Sequence, residues 1–190
     1  MKLLHINASI MGDKSVTRQL SQDIVDHYIN ENPSAQITVY DLNKNPIPFL
    51  SSASFTDKTE QAIAEKTLND FLEADIIVIG TPMYNFGIPA QLKAWVDRIS
   101  VAGTTFKYTE NGPQGLITDK KIVIASSRGS AYGPETEHLD HQEKHLQSVF
   151  GLFGLTGNAV QIIRAEGVNL APDATEKEIA KARTKIPALA

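Results

Sequence analysis

The chain contains no cysteine. Disulfides, thiol redox chemistry and cysteine-held metals are therefore excluded. It also lacks any long apolar run. The N-terminal MKLLHINAS turns polar after a few residues, too soon for a signal-peptide core, and nothing further along reaches the length of a membrane span. Nor is there an excess of positive charge: 18 Lys and Arg face 22 Asp and Glu, a net charge of −4. Binding a phosphate backbone needs clustered cations, so no nucleic-acid partner is expected. The glycine patterns GxxxxGK[ST] and GxGxxG are missing too, which leaves out a P-loop and a dinucleotide fingerprint. The expectation is a soluble, cytoplasmic protein. Its 190 residues, 42% of them hydrophobic, suit one domain spanning 1–190 with a sizeable core.

What is present is an alternation of two periods. Residues 2–9, 36–42, 76–80, 121–127 and 158–168 read as strands, and the third of these (IIVIG) is apolar throughout, as befits a strand covered on both faces. Helical spacing fills the intervals. In 15–32, Val16, Leu20, Ile24 and Tyr28 recur four apart, and 57–75 turns Ile63, Leu68, Phe71 and Leu72 inward. Segment 89–100 opens with Pro89 at the first helical position and buries Leu92, Trp95, Val96 and Ile99; 135–155 and 175–186 complete the set. Five strands interleaved with five helices imply a parallel sheet wound by right-handed crossovers. The interruption at 103–118, with Phe106, Tyr108 and a Glu-Asn-Gly turn, predicts an inserted β-hairpin.

In such sheets a ligand binds beyond the carboxyl ends of the strands. Three loops lie there. The first, 9–17, supplies Ser9, Ser15 and Thr17 just before a helix, where backbone N–H groups and the helix dipole favour a phosphate; taken alone, Ser15 reads equally well as an N-cap. The second, 80–88, carries Pro82, Met83, Tyr84 and Phe86 between glycines and prolines, large residues for a loop, and suits a flat aromatic ring. Its alternative is a pair of aromatics covering the core edge. The third, with Ser127, Arg128, Gly129 and Ser130, is a compact turn that lets a ligand approach the backbone, or a plain connector. Taken together, the three loops make one cradle, polar at one end and flat and apolar at the other, which is the shape of riboflavin phosphate.

The stretches PMYNFGIPAQLKAWVDR, FKYTENGPQGL, SSRGSAYG and the late AEG resemble the FMN-dependent NADH-azoreductases, members of the flavodoxin-like NAD(P)H:quinone oxidoreductases, from the first strand to about Gly167. The resemblance implies a flavodoxin-like three-layer sandwich with parallel strand order 2-1-3-4-5 and a homodimer with two FMN sites. It implies ping-pong chemistry at flavin N5, with NADH or NADPH as donor, a quinone or azo compound as acceptor, and no catalytic side chain. It places phosphate contacts on Ser9, Ser15, Val16 and Thr17. Ring contacts fall on Met83, Tyr84, Asn85 and Phe86 and on Ser127 to Ser130. Tyr108 borders the substrate pocket, and Phe150 or Phe153 enters the partner's pocket.

Other features have plainer readings. His138, His141 and His145 share a face of the expected 135–155 helix, yet three ligands from one helix rarely close a metal shell, so no metal is expected. His5 reads as a satisfied core or edge side chain, and Trp95 as packing. A flavodoxin-type electron carrier is the rival function, although such carriers are usually far more acidic. A non-catalytic flavin-binding module is a second rival.

Overall fold

In the computed structural model, which describes residues 1–189, five strands form one parallel sheet. They are β1 (Lys2–Asn7), β2 (Gln36–Asp41), β3 (Ile76–Pro82), β6 (Lys121–Arg128) and β7 (Val160–Glu166), in spatial order β2-β1-β3-β6-β7. Numbered among themselves they run 2-1-3-4-5, the expected flavodoxin-like order. Strands β4 (Phe106–Thr109) and β5 (Gly112–Gly115) form a separate antiparallel hairpin within 103–118, also as expected.

The sheet is covered on both faces, and the period-2 alternation of its strands decides which side chain goes where. Leu4, Ile6, Ile77, Ile79, Ile122 and Ile124 point toward α2 (Lys58–Glu73), α3 (Ala90–Ile99) and α4 (Gln142–Phe153). Leu3, Val78, Val123 and Ala125 point toward α1 (Val16–Glu31) and α5 (Ala174–Arg183). On the first face Phe71 stacks edge-on against Trp95 at 6.1 Å and Phe153 at 5.9 Å, and Phe150 joins Phe153 at 6.1 Å. Phe150 and Phe153 have no exposed surface. This corrects the expectation that one of them reaches into a partner's pocket: the apolar face of α4 is taken up by its own core. Among the described residues no helix is long and apolar enough to cross a membrane.

Two boundaries differ from the sequence reading. Pro89 is the residue before α3, extended at ψ 142°, so the helix begins at Ala90. The long helix expected at 135–155 is cut to Gln142–Phe153 because Asp140 is extended (ψ 91°). Its carboxylate accepts from the backbone N–H groups of Gln142 (3.1 Å) and Glu143 (3.4 Å), starting α4 anew. His138 therefore sits in a short 3-10 turn and does not share a helix face with His141 and His145. Among the described residues no group of His, Asp or Glu is arranged to hold a metal.

The hairpin docks on the far end of α4. Ile117 N–H donates to Phe153 O at 2.9 Å, and a Cβ built on Gly115 would lie inside the backbone of Phe153 and Gly154. Gly115→Ala is expected to lower stability by about 2–3 kcal/mol, since neither backbone has room to yield; denaturant midpoints of the two proteins check this.

α1 approaches β3 closely enough that a Cβ on Gly80 would meet Thr17 O at 2.9 Å. Beside this contact His5, 3% exposed, shares a hydrogen bond with Ser21 Oγ at 2.8 Å. Burial, helped by the nearby Arg18 charge, lowers its pKa from 6.5 to about 4. Between those values the unfolded chain binds the extra proton, so stability rises with pH across that window and falls on acidification. The full effect is on the order of 3 kcal/mol between pH 7 and pH 4. His145, lowered by its own burial, adds in the same direction. Denaturant titrations of wild type and His5→Gln from pH 7 to 4 should show a visibly flatter profile for the variant; identical slopes would exclude His5 as the source.

Candidate functional site

A cavity of about 320 Å³ opens at the carboxyl ends of β1, β3 and β6 and collects all three loops. The first loop contributes Ser9, Lys14, Ser15 and Val16, the second Pro82, Met83 and Tyr84, and the third Ser127, Arg128 and Gly129. The loops are tied to one another. Met83 N–H donates to Ser127 O at 2.7 Å, joining the second to the third. The Tyr84 hydroxyl accepts from Ile10 N–H at 3.3 Å and lies 3.4 Å from Ser9 Oγ, joining the second to the first.

Ser15 is indeed an N-cap: its Oγ accepts from Arg18 N–H at 3.2 Å. It also lines the cavity, so capping α1 does not take it away from the site. Thr17 has no exposed surface, and its hydroxyl rests 3.2 Å from Ser15 Oγ, behind the cavity wall. Asn85, Phe86 and Ser130 are exposed and lie outside the lining. Tyr108 stands on the hairpin, 76% exposed.

The second loop is strained. Tyr84 and Gly87 exchange two backbone hydrogen bonds (3.0 and 3.1 Å) across a tight turn whose central residues, Asn85 (φ 48°) and Phe86 (φ 70°), are both left-handed. For phenylalanine this conformation costs about 1 kcal/mol or more, and such residues gather where function requires them. Phe86 is braced from outside: its carbonyl accepts from His141 N–H at 3.0 Å, and its ring packs edge-on against Tyr132 at 6.5 Å.

Arg128 turns its side chain away from surface. The guanidinium, 1% exposed, pairs with Asp140 (2.8 Å) and Glu143 (2.9 Å), and Glu143 pairs in turn with Arg164. Burial alone would raise the Asp140 carboxyl; the hydrogen bond and charge of Arg128, with two backbone N–H groups, outweigh it and hold the pKa below the usual carboxylate range.

Five lining residues were not singled out by the sequence: Met11, Lys14, Val168, Asn169 and Thr175. Lys14 precedes the hydroxyl cluster and is the one lining cation not committed to a carboxylate among the described residues. Asn169 follows the late AEG stretch; its N–H donates to Gly129 O at 3.0 Å, and its side-chain amide lies 2.7 Å from where a Gly129 Cβ would stand. The donor set fits a flavin monophosphate. Ser9, Lys14, Ser15 and the start of α1 supply donors suited to a phosphate, Pro82, Met83 and Val168 supply apolar wall, and Tyr84 joins the two, its hydroxyl 3.4 Å from Ser9 Oγ.

Known proteins share this fold. Residues 1–189 match a family described as having a flavodoxin-like fold. A protein of Stenotrophomonas maltophilia named FMN-dependent NADH:quinone oxidoreductase is 49% identical over 98% of this chain and 95% of its own length. An azoreductase of Bacillus anthracis superposes with a TM-score of 0.89 at 31% identity, over 100% of this chain and 98% of that one. An FMN-dependent NADH-azoreductase of the same species, solved in complex with FMN, gives 0.86 at 25% identity over 100% and 99%.

Proposed function

The chain belongs to the flavodoxin-like fold family, and on that premise we propose that it is an FMN-dependent NAD(P)H oxidoreductase that reduces quinones and azo compounds. The observation that carries the reading is one cavity at three strand termini lined by both hydroxyl-and-amine donors and apolar side chains. The names of its relatives support an enzyme over a flavodoxin-type electron carrier.

A bound flavin supplies two-electron transfer between a reduced nicotinamide and the acceptor. The protein's part is to bind, orient and shield. Ser9, Lys14 and Ser15, with the α1 N-terminus, would hold the phosphate, and Met83 and Tyr84 would contact the ring. The Asn85–Phe86 turn, just outside the lining, and the Gly129 turn would offer backbone groups to its polar edges. Tyr108 on the hairpin is the proposed wall of the acceptor pocket. The same reading makes the protein a cytoplasmic homodimer, supported by the exposed Phe49, Leu50 and Phe55 on one segment; sedimentation velocity reads the assembly directly.

The test is an anaerobic absorbance experiment on protein reconstituted with FMN. NADH or NADPH should bleach the flavin band, and menadione or methyl red should restore it. A protein that stays colourless after reconstitution, or a bound flavin indifferent to both nicotinamides, overturns the proposal.

A further inference from the structure

We propose that Asp140 and Gln142 are positioning residues that clamp the strained Asn85–Phe86 turn in the conformation the flavin ring meets. The inference rests on the functional reading above for its ligand, but the clamp itself is built from contacts within the chain.

The turn needs an external brace. Its own two backbone bonds, between Tyr84 and Gly87, would be kept by any two-residue turn of that hand, and glycine or asparagine would fill both central positions more easily than phenylalanine does. The brace comes from the start of α4. His141 N–H holds the Phe86 carbonyl at 3.0 Å. Gln142, with no exposed surface, donates its side-chain amide to Thr81 O at 2.8 Å, fixing the strand end from which the turn departs.

Both groups are placed by Asp140. One carboxylate oxygen accepts from Gln142 N–H at 3.1 Å and so sets where α4 begins; the other accepts from Arg128 Nη1 at 2.8 Å. The Gln142 amide oxygen lies 3.4 Å from Arg128 Nη2, which leaves its N–H₂ facing Thr81. A carboxylate at 142 would have no hydrogen to give to that carbonyl. Arg128 also sits over the Tyr132 ring at 5.4 Å, and Tyr132 packs on Phe86. The clamp thus runs from the end of β6 to the end of β3 through one carboxylate and one amide. Released from it, Phe86 would relax toward negative φ and carry the backbone groups of the turn away from the ring.

Two variants test this. Gln142→Met keeps the volume and removes the donor to Thr81. His141→Pro removes the N–H that holds Phe86, which is shared with Leu139 O at 3.1 Å, together with an exposed imidazole, at a cap position whose preceding residue is already extended. In the flavin-free protein, amide exchange across 81–88 should quicken about tenfold in each. In the FMN-loaded protein the dissociation constant should rise about tenfold, the equivalent of one buried hydrogen bond. The midpoint potential and absorbance fine structure of the flavin should move with it, while the ratio of FMN to riboflavin affinity stays as in wild type because the phosphate end is untouched. Wild-type exchange, affinity and potential in His141→Pro would overturn the clamp, and that variant decides alone if Gln142→Met does not fold. If wild type itself binds no FMN, the functional reading falls, and the exchange measurement still decides the clamp.

Discussion

With Ser9, Lys14 and Ser15 replaced by Ala, Met and Ala, FMN binding falls by at least about a hundredfold, while riboflavin binding changes by less than about threefold. The asymmetry follows from the cavity. These residues bring the cavity its hydroxyls and the Lys14 ammonium, whereas Pro82, Met83 and the Tyr84 ring line it with apolar surface. A phosphate monoester is a dianion. Hydroxyls and the α1 N-terminus supply neutral donors and a partial charge, and the Lys14 ammonium supplies the full one. Loss of Ser15 also removes the cap on α1, which costs about 1 kcal/mol of stability, so affinities are compared at a temperature where both proteins are folded. Equilibrium dialysis with the two flavins gives the answer. A triple variant that retains FMN like wild type would show that the phosphate binds elsewhere.

Removing the Arg128 guanidinium has the largest expected effect on stability. It is 1% exposed between the Asp140 and Glu143 carboxylates, so Arg128→Met leaves buried negative charge uncompensated. The expected loss is about 3–5 kcal/mol, equivalent to roughly 10 °C in Tm for a chain of this length. Calorimetry at neutral pH measures it. A loss below about 1 kcal/mol would mean that Arg164, already paired with Glu143, takes over the compensation.

The sequence discloses most of the framework because the framework is repetitive. Strand β3 is legible from five consecutive apolar or small residues, and α1 from Leu20, Ile24 and Tyr28 on one stripe. The first two loops are legible for the opposite reason: Ser15 and Thr17 ahead of a helix, and Tyr84 and Phe86 in a glycine-proline loop, break the local pattern. The start of α4 is not legible. Asp140 sits in a run of charged and histidine residues that looks like any solvated helix, and only its pairing with Arg128, twelve residues away and buried, shows that the run is broken there. Phe150 and Phe153 mislead because glycines flank them; the signal that assigns them to the core is Phe71, remote in sequence. Asn169 and Thr175 enter the site from beyond β7, and no spacing rule links them to Gly129. Lys14 is a lone charge whose meaning depends on which way its turn faces.

Helix α4 touches the site's surroundings at both extremities. Its first turn grips the Asn85–Phe86 backbone, and its last residues seat the hairpin that displays Tyr108. Three turns of hydrogen-bonded backbone make a stiff rod between them. A push that slides the rod along its axis therefore shifts the Asn85–Phe86 turn and the hairpin in concert, so the placement of both follows the seating of a single helix.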